Sequence, residues 1–318
     1  MRRVVIFTGA LRTIKKTIAY FKKNVLLDAN VDVFACVQND TSESEEEWTA
    51  WFKEQMGDAL RSMEWFSLQK YPAWVTQRDI QLQRLPIEDI WKEYLRHSGS
   101  MIEYFQLQLA YMNLCEYEQR NGFRYEYVIR GRTDTIFAKP VDFHWLSWSD
   151  EEISERVERI KEELKLSTIE ITNRSILNAF MGTLLSDDLI PNIERIMTDN
   201  IIVEPEPILS AAYLRTGRYI LTIRKNNLYI VRRELFYLIP TLGSMYGFFR
   251  APNSDDYWFN AEGQFRAACY YSHLSVFDYD TRFDGRSLEY AHLWKEADFF
   301  DTDYRLINPA MLYCVVRK

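Results

Sequence analysis

The chain opens on an alternation of apolar runs and amphipathic stretches. "VVIFTG", from Val4 to Gly9, is a short apolar run closed by glycine, the signature of a buried strand. "LRTIKKTIAYFKKNVL" follows. It sets Ile14, Ile18, Phe21 and Val25 on one helical stripe with lysines opposite. "VDVFACVQN" is again strand-like, rich in β-branched and aromatic residues. Strand, helix, strand predicts a βαβ unit, hence a parallel sheet with a right-handed crossover.

Further along, "MEWFSLQKY" (Met63 to Tyr71) predicts a third strand. Between Met101 and Arg120, Met101, Ile102, Phe105, Leu107, Leu109, Met112 and Leu114 fall nearly all round a helix, which predicts a buried one; Asn121-Gly122 is a suitable stop. "YEYVIRGRTDTIFAKPV" (Tyr125 to Val141) then starts as a buried strand and runs into Arg130, Arg132 and Asp134. Ser149 with Glu152 predicts a capping box opening an exposed helix. The remainder beyond 235 is turn-rich and aromatic. The expected organisation is an α/β domain over 1–235, with a mostly parallel central sheet flanked by helices. A C-terminal extension, 236–318, packs on it and contributes to the acceptor side.

Composition narrows the function classes. The 318 residues are 47% hydrophobic and 27% charged, ordinary for a globular protein. A net charge of −7 without a basic stripe argues against nucleic acid as partner. The run "ESEEE" from Glu43 to Glu47 reads as a solvated loop or helix start. The four cysteines, Cys36, Cys115, Cys269 and Cys314, are too scattered for a zinc site or a disulfide frame and read as reduced thiols. "VVIF" is too short for a signal-peptide core, and "LFYLIPTLGSMYGFF" is too short, and too broken by Pro240, Gly243 and Gly247, to span a bilayer. No transmembrane segment and a cytoplasmic location are the expectation, and the sequons at Asn39 and Asn173 are read as chance.

Parallel sheets bind ligands at the carboxyl ends of their strands. Three strand ends here carry polar residues. "TGALRT" offers Gly9 for close backbone approach and Arg12 as a fork of donors for phosphate. The second strand ends in Gln38, Asn39 and Asp40, able to hydrogen-bond a nucleoside. The fourth ends in Arg130-Gly131-Arg132-Thr133-Asp134. A lone carboxylate there can hold Mg²⁺ or Mn²⁺ with a diphosphate completing the shell, and the guanidinium groups can neutralise a departing diphosphate. The competing readings are structural: Arg130 with Asp134 as an ion pair closing the strand, and Asp40 as a turn or cap residue.

With these residues in view, the chain resembles GT-A-fold glycosyltransferases of a divergent type, in which the Asp-x-Asp signature is relaxed to Arg-x-Asp within an R-x-R-x-D-x-x-F run. The resemblance is carried by "VVIFTGALRT", "NVDVFACVQND" and "YEYVIRGRTDTIFAKPV". It continues through "NRSILNAFMGTLLSDDL" and "IIVEPEPILSAAYL". It implies a nucleotide-sugar donor, a divalent metal (Mn²⁺ or Mg²⁺) and transfer of a hexose or pentose to an acceptor hydroxyl on a glycan or glycoconjugate. It makes Asp134 the metal carboxylate, with Arg132 in the place of the signature's first Asp. Gly9 and Arg12 would line the nucleotide site, and Asp40 would contact ribose or base. A late His is a common further ligand in that family, which nominates His273 or His292. An inverting transferase also needs a carboxylate base. "SDDYWFNAEGQF" nominates Asp256 and Glu262 near Asp255 and Trp258, with Asp187, Asp188 and Glu206 competing. Asp256 equally suits a helix cap. Two rivals share the α/β frame: a nucleotidyltransferase, against which "TGALRT" is poor in glycine, and a non-catalytic nucleotide- or carbohydrate-binding module.

Overall fold

The computed structural model describes residues 2–26, 31–84, 99–137, 151, 155, 219–223, 228–241, 265, 268–269, 272–278 and 313–315. Its centre is a mixed, mostly parallel sheet flanked by helices. The strands are β1 (Arg3–Ala10), β2 (Val31–Gln38), β3 (Leu60–Trp65), β4 (Tyr127–Arg132), β6 (Tyr219–Ile223), β7 (Leu228–Arg232) and β8 (Ser275–Asp278), in the spatial order β3-β2-β1-β4-β7-β6-β8. β7 alone of the seven runs antiparallel to its neighbours. A separate antiparallel pair joins β5 (Thr135–Phe137) to β9 (Tyr313–Val315).

β1 is an unbroken apolar run because both its faces are covered. Helix α1 (Ile14–Asn24) lies on one face through the expected stripe, with Phe21 against Phe7 at 4.6 Å between ring centroids. Helix α4 (Gly99–Asn121) lies on the other, where Val4, Ile6, Phe34, Cys36 and Val128 pack with Tyr104, Leu107 and Leu114. Contrary to the all-round burial expected of it, α4 is one-sided. Met101, Tyr104, Leu107, Ala110 and Leu114 are buried, while Met112 is 54% exposed. Its flank is layered by aromatics: Phe105 stacks on Trp74 of helix α3 (Pro72–Arg84) at 5.6 Å.

The third strand begins and ends earlier than expected. Past Trp65 the chain makes a 3₁₀ turn, Leu68–Lys70, because the Ser67 hydroxyl accepts the Gln69 N–H and Tyr71 folds back to stack on Phe66. "ESEEE" is a helix start. Ser44 and Glu47 form a capping box, their side chains bonding each other's backbone N–H, and open helix α2 (Glu45–Met56).

Residues on both sides of position 235 share one core, since Phe236, Ile239, Phe265, Cys269 and Leu274 pack with Val4, Ile6 and Val128, and β8 extends the sheet beside β6. Cys36 and Cys269 are free and buried, and burial pushes both thiols far up, out of the reactive range. Among the described residues no helix is long and apolar enough to cross a membrane. The expected capping box at Ser149 and Glu152, the carboxylates Asp187, Asp188, Glu206, Asp255, Asp256 and Glu262, and Trp258 and His292 lie outside the described residues.

Candidate functional site

From β1 the chain steps to β2 and β3 on one side and returns to β4 on the other. This reversal leaves a crevice at the carboxyl ends of β1 and β4, the usual ligand position in such sheets. A cavity of about 270 Å³ opens there. β1 contributes Thr8, Gly9 and Ala10, β2 contributes Gln38, and α4 contributes Ile102, Glu103 and Gln106; Arg12, Arg130, Arg132 and Asp134 complete the lining.

Strand alternation explains the Arg-x-Arg spacing. Arg130 and Arg132 point to the α4 face. Gly131 points to α1, where an added Cβ would lie 2.6 Å from Phe21 Cε2. Arg130 is 1% exposed and donates to the Glu103 carboxylate on α4, with a longer contact of 3.5 Å to the Thr8 hydroxyl. Arg132 donates to Asp134 through both arms of its fork, Nε to Oδ1 at 2.8 Å and Nη2 to Oδ2 at 2.7 Å. Its Nη1 lies 3.7 Å from the other Glu103 oxygen. The four side chains thus form one chain of charge, Arg130–Glu103–Arg132–Asp134. The partner of Asp134 is Arg132, two residues away, and the partner of Arg130 comes from α4.

Gly9 has φ +136°, a backbone conformation that favours glycine, and the neighbour that approaches it is the protein itself: a Cβ there would meet Thr133 Oγ1 at 2.2 Å. Thr133 stitches β4 to β1. Its N–H donates to the Thr8 carbonyl at 3.1 Å, its hydroxyl to the Ala10 carbonyl at 2.7 Å, and its own carbonyl accepts from the Thr17 hydroxyl at 2.6 Å. Gly9→Ala should therefore destabilise the chain by about 2–4 kcal/mol, combining backbone strain and overpacking, as read by urea denaturation. A loss below about 1 kcal/mol would mean that this junction relaxes freely.

Arg12 is exposed at the cavity mouth, and its guanidinium makes no ion pair or hydrogen bond among the described residues. Its backbone N–H donates to Asp40 Oδ1 at 2.9 Å. Asp40 thereby ties the turn after β1 to the end of β2. It does not line the cavity, whereas Gln38, two residues earlier, does. Asn39 is occupied by its own turn, accepting from Thr41 and donating to the Glu43 carbonyl.

His273 is not brought to Asp134. It is exposed and lies two residues before the start of β8, which runs parallel to β6. The register sets Ile220, Val231 and Val128 at one level, so β8 starts at the amino edge of the sheet. Asp134 lies past the carboxyl edge. At ~3.3 Å per residue the two are on the order of 20 Å apart along the strands. The late-His expectation for residue 273 is corrected on that ground.

Among the described residues, the two carboxylates of the cavity are both held by arginines. Both Asp134 oxygens are engaged by Arg132, Glu103 is shared by Arg130 and Arg132, and no group of three or more potential metal ligands occurs among the described residues. Three guanidinium groups against two carboxylates make the cavity locally positive, in an otherwise acidic protein. That donor set suits an anion.

Glu103 and Gln106 were not singled out from the sequence. Their signal is two polar residues at i and i+3 within the apolar stretch "MIEYFQLQLA". No protein-family model and no curated protein matches this chain.

Proposed function

We propose that the chain is a glycosyltransferase with a GT-A-like fold. It binds a nucleotide-diphosphate sugar across the carboxyl ends of β1, β2 and β4 and transfers the sugar to a hydroxyl of a glycan or glycoconjugate. One observation carries this reading: a locally positive cavity at the sheet's switch point, with the Arg12 guanidinium unengaged at its mouth and two further arginines held in place by carboxylates. As the bond from the anomeric carbon to the diphosphate oxygen breaks, negative charge grows on the leaving diphosphate. Guanidinium groups already fixed in position stabilise that charge without reorganising. Arg132, oriented by Asp134, would serve this role; Arg12, unengaged at the mouth, would add its charge on binding the diphosphate, and Arg130, buried against Glu103, sets the local potential. Asp256 and Glu262 keep their place as candidate acceptor bases from the sequence.

A second reading, a nucleotide- or carbohydrate-binding module without catalysis, is favoured by the bidentate pairing of Asp134 with Arg132, which gives that carboxylate a structural partner.

The test is a thermal-shift panel of nucleotide sugars with and without Mn²⁺. A genuine donor at ~100 times its dissociation constant should stabilise the chain by about 2.7 kcal/mol. Arg12→Ala should weaken nucleotide-diphosphate binding by about 1.5–3 kcal/mol by calorimetry, the worth of charged hydrogen bonds. No shift with any nucleotide sugar overturns both readings for nucleotide ligands. A shift without release of nucleotide in the presence of varied glycan acceptors selects the binding module.

A further inference from the structure

Gln106 lies on α4 within the cavity lining, and it is 2% exposed. Its carboxamide makes no hydrogen bond among the described residues. The side chain is enclosed by the protein, yet its amide atoms are not among the sealed-off unpartnered ones, so the amide opens to the cavity, where a ligand could meet its N–H₂ and C=O. The other buried polar side chains that line the cavity each have a protein partner: Arg130 and Asp134 in ion pairs, Thr8 in a hydrogen bond. An unmet carboxamide facing a cavity is instead poised for a ligand.

Its direction fixes which part of a ligand it meets. On a helix, Gln106 is turned about 60° from Glu103, to the same side as Asn113. Asn113 donates to Glu64 of β3 at 2.9 Å, so that side faces β2 and β3. Glu103 faces Arg130 on β4. The cavity is therefore polarised: Arg130, Glu103, Arg132 and Asp134 gather on the β4 flank, Arg12 stands at the mouth, and the β2 flank offers two neutral carboxamides, Gln106 and Gln38. Gln38 also makes no side-chain hydrogen bond among the described residues.

We propose that Gln106, assisted by Gln38, is the specificity-determining residue for the nucleoside half of the ligand, reading a neutral edge that presents a donor and an acceptor side by side, such as the amide edge of a base. This rests on the nucleotide-sugar reading above. A carboxamide suits the task because it gives and accepts at adjacent atoms, and it cannot be satisfied by phosphate alone. A site built to bond such an edge discriminates strongly against analogues that leave it unpaired.

The experiment is calorimetry on the full chain with UDP, CDP, GDP and ADP, with inorganic pyrophosphate as the anion-only probe, comparing the parent with Gln106→Leu and the near-isosteric Gln106→Met. Both variants should melt near the parent temperature, since no hydrogen bond within the described residues is lost. Binding of the preferred diphosphate should weaken about tenfold, as for one or two lost hydrogen bonds, and the spread among the four bases should narrow. Pyrophosphate binding should stay unchanged. Undiminished nucleotide binding in a folded variant overturns the role of Gln106. An equal loss for pyrophosphate, or a large fall in melting temperature in both variants, makes the residue a packing element and overturns it too. If the parent binds pyrophosphate but none of the four nucleotides, the nucleotide reading itself fails, and this inference with it.

Discussion

Glu118→Ala should cost about 3–5 kcal/mol of stability while leaving ligand binding per folded molecule unchanged. Glu118 sits near the end of α4 and takes both arms of Arg233, with Nη2 to Oε2 at 2.7 Å and Nε to Oε1 at 3.0 Å. It also accepts the Tyr125 N–H at 3.0 Å. The two charged side chains are only 4% and 8% exposed, so removing the carboxylate strands a buried guanidinium and a backbone donor together. The Tyr111 ring, 4.8 Å from the guanidinium carbon, and Cys115 Sγ, 3.1 Å from Nη2, cannot replace a counter-charge. The pair anchors the amino end of β4 and the carboxyl end of its antiparallel neighbour β7, at the far edge of the sheet from the cavity. Urea denaturation gives the stability, and calorimetry on the folded fraction gives the binding. Replacing both partners, Glu118→Leu with Arg233→Met, should recover most of the loss, because it is the unpaired charge and not the missing bond that destabilises. A single-variant loss under about 1 kcal/mol would mean that water reaches the guanidinium.

The contrast between the two ion-pair networks shows what the sequence made legible. β1, α1, β2 and the existence of α4 follow from periodicity, because two-sided burial leaves unbroken apolar runs and one-sided burial leaves a stripe. The placement of Arg130, Arg132 and Asp134 at a strand end was legible for the same reason. Their partners were not. A pairing of Arg130 with Asp134 is natural when the motif is read as a string, yet four residues of extended chain span ~13 Å. Alternation instead sets residues two apart on one face, which gives Arg132 to Asp134 and leaves Arg130 for α4. Glu103 is 27 residues earlier and reaches Arg130 only through the packing of α4 on the sheet. His273 was misplaced because its edge depends on the direction of β8, which local patterning does not carry; a residue preceding a strand parallel to β1 belongs to the amino edge. Asp40 and Gly9 were found at the ligand end of the sheet, but each is engaged by the protein's own backbone or side chains.

Under the proposed transferase activity, Arg132→Ala should lower sugar transfer by about 10²–10³-fold, the scale for removing one fixed donor from developing negative charge. Arg132 can bear such a role because its side chain is 19% exposed and lines the cavity, unlike the enclosed Arg130. Asp134 holds it by a bidentate pair, so both the distance and the plane of the guanidinium are set before ligand arrives. Arg132→Lys should recover only part of the rate, since an ammonium keeps the charge but not the fork. Asp134→Asn should be the milder change. It removes the counter-charge yet leaves an amide oxygen for Arg132, so the guanidinium loses alignment and not existence. The rank order of these variants separates two roles for Asp134. If it orients Arg132, transfer falls most in Arg132→Ala, and added Mn²⁺ changes the ranking in neither variant. If Asp134 instead holds a divalent cation, as the resemblance implies, Asp134→Asn is the more damaging change and abolishes any response to Mn²⁺. Initial rates for the parent, Arg132→Ala, Arg132→Lys and Asp134→Asn across a Mn²⁺ titration, with melting temperatures to confirm folding, decide between them; a parent rate that rises with Mn²⁺ and an Asp134→Asn rate that does not would overturn the orienting role.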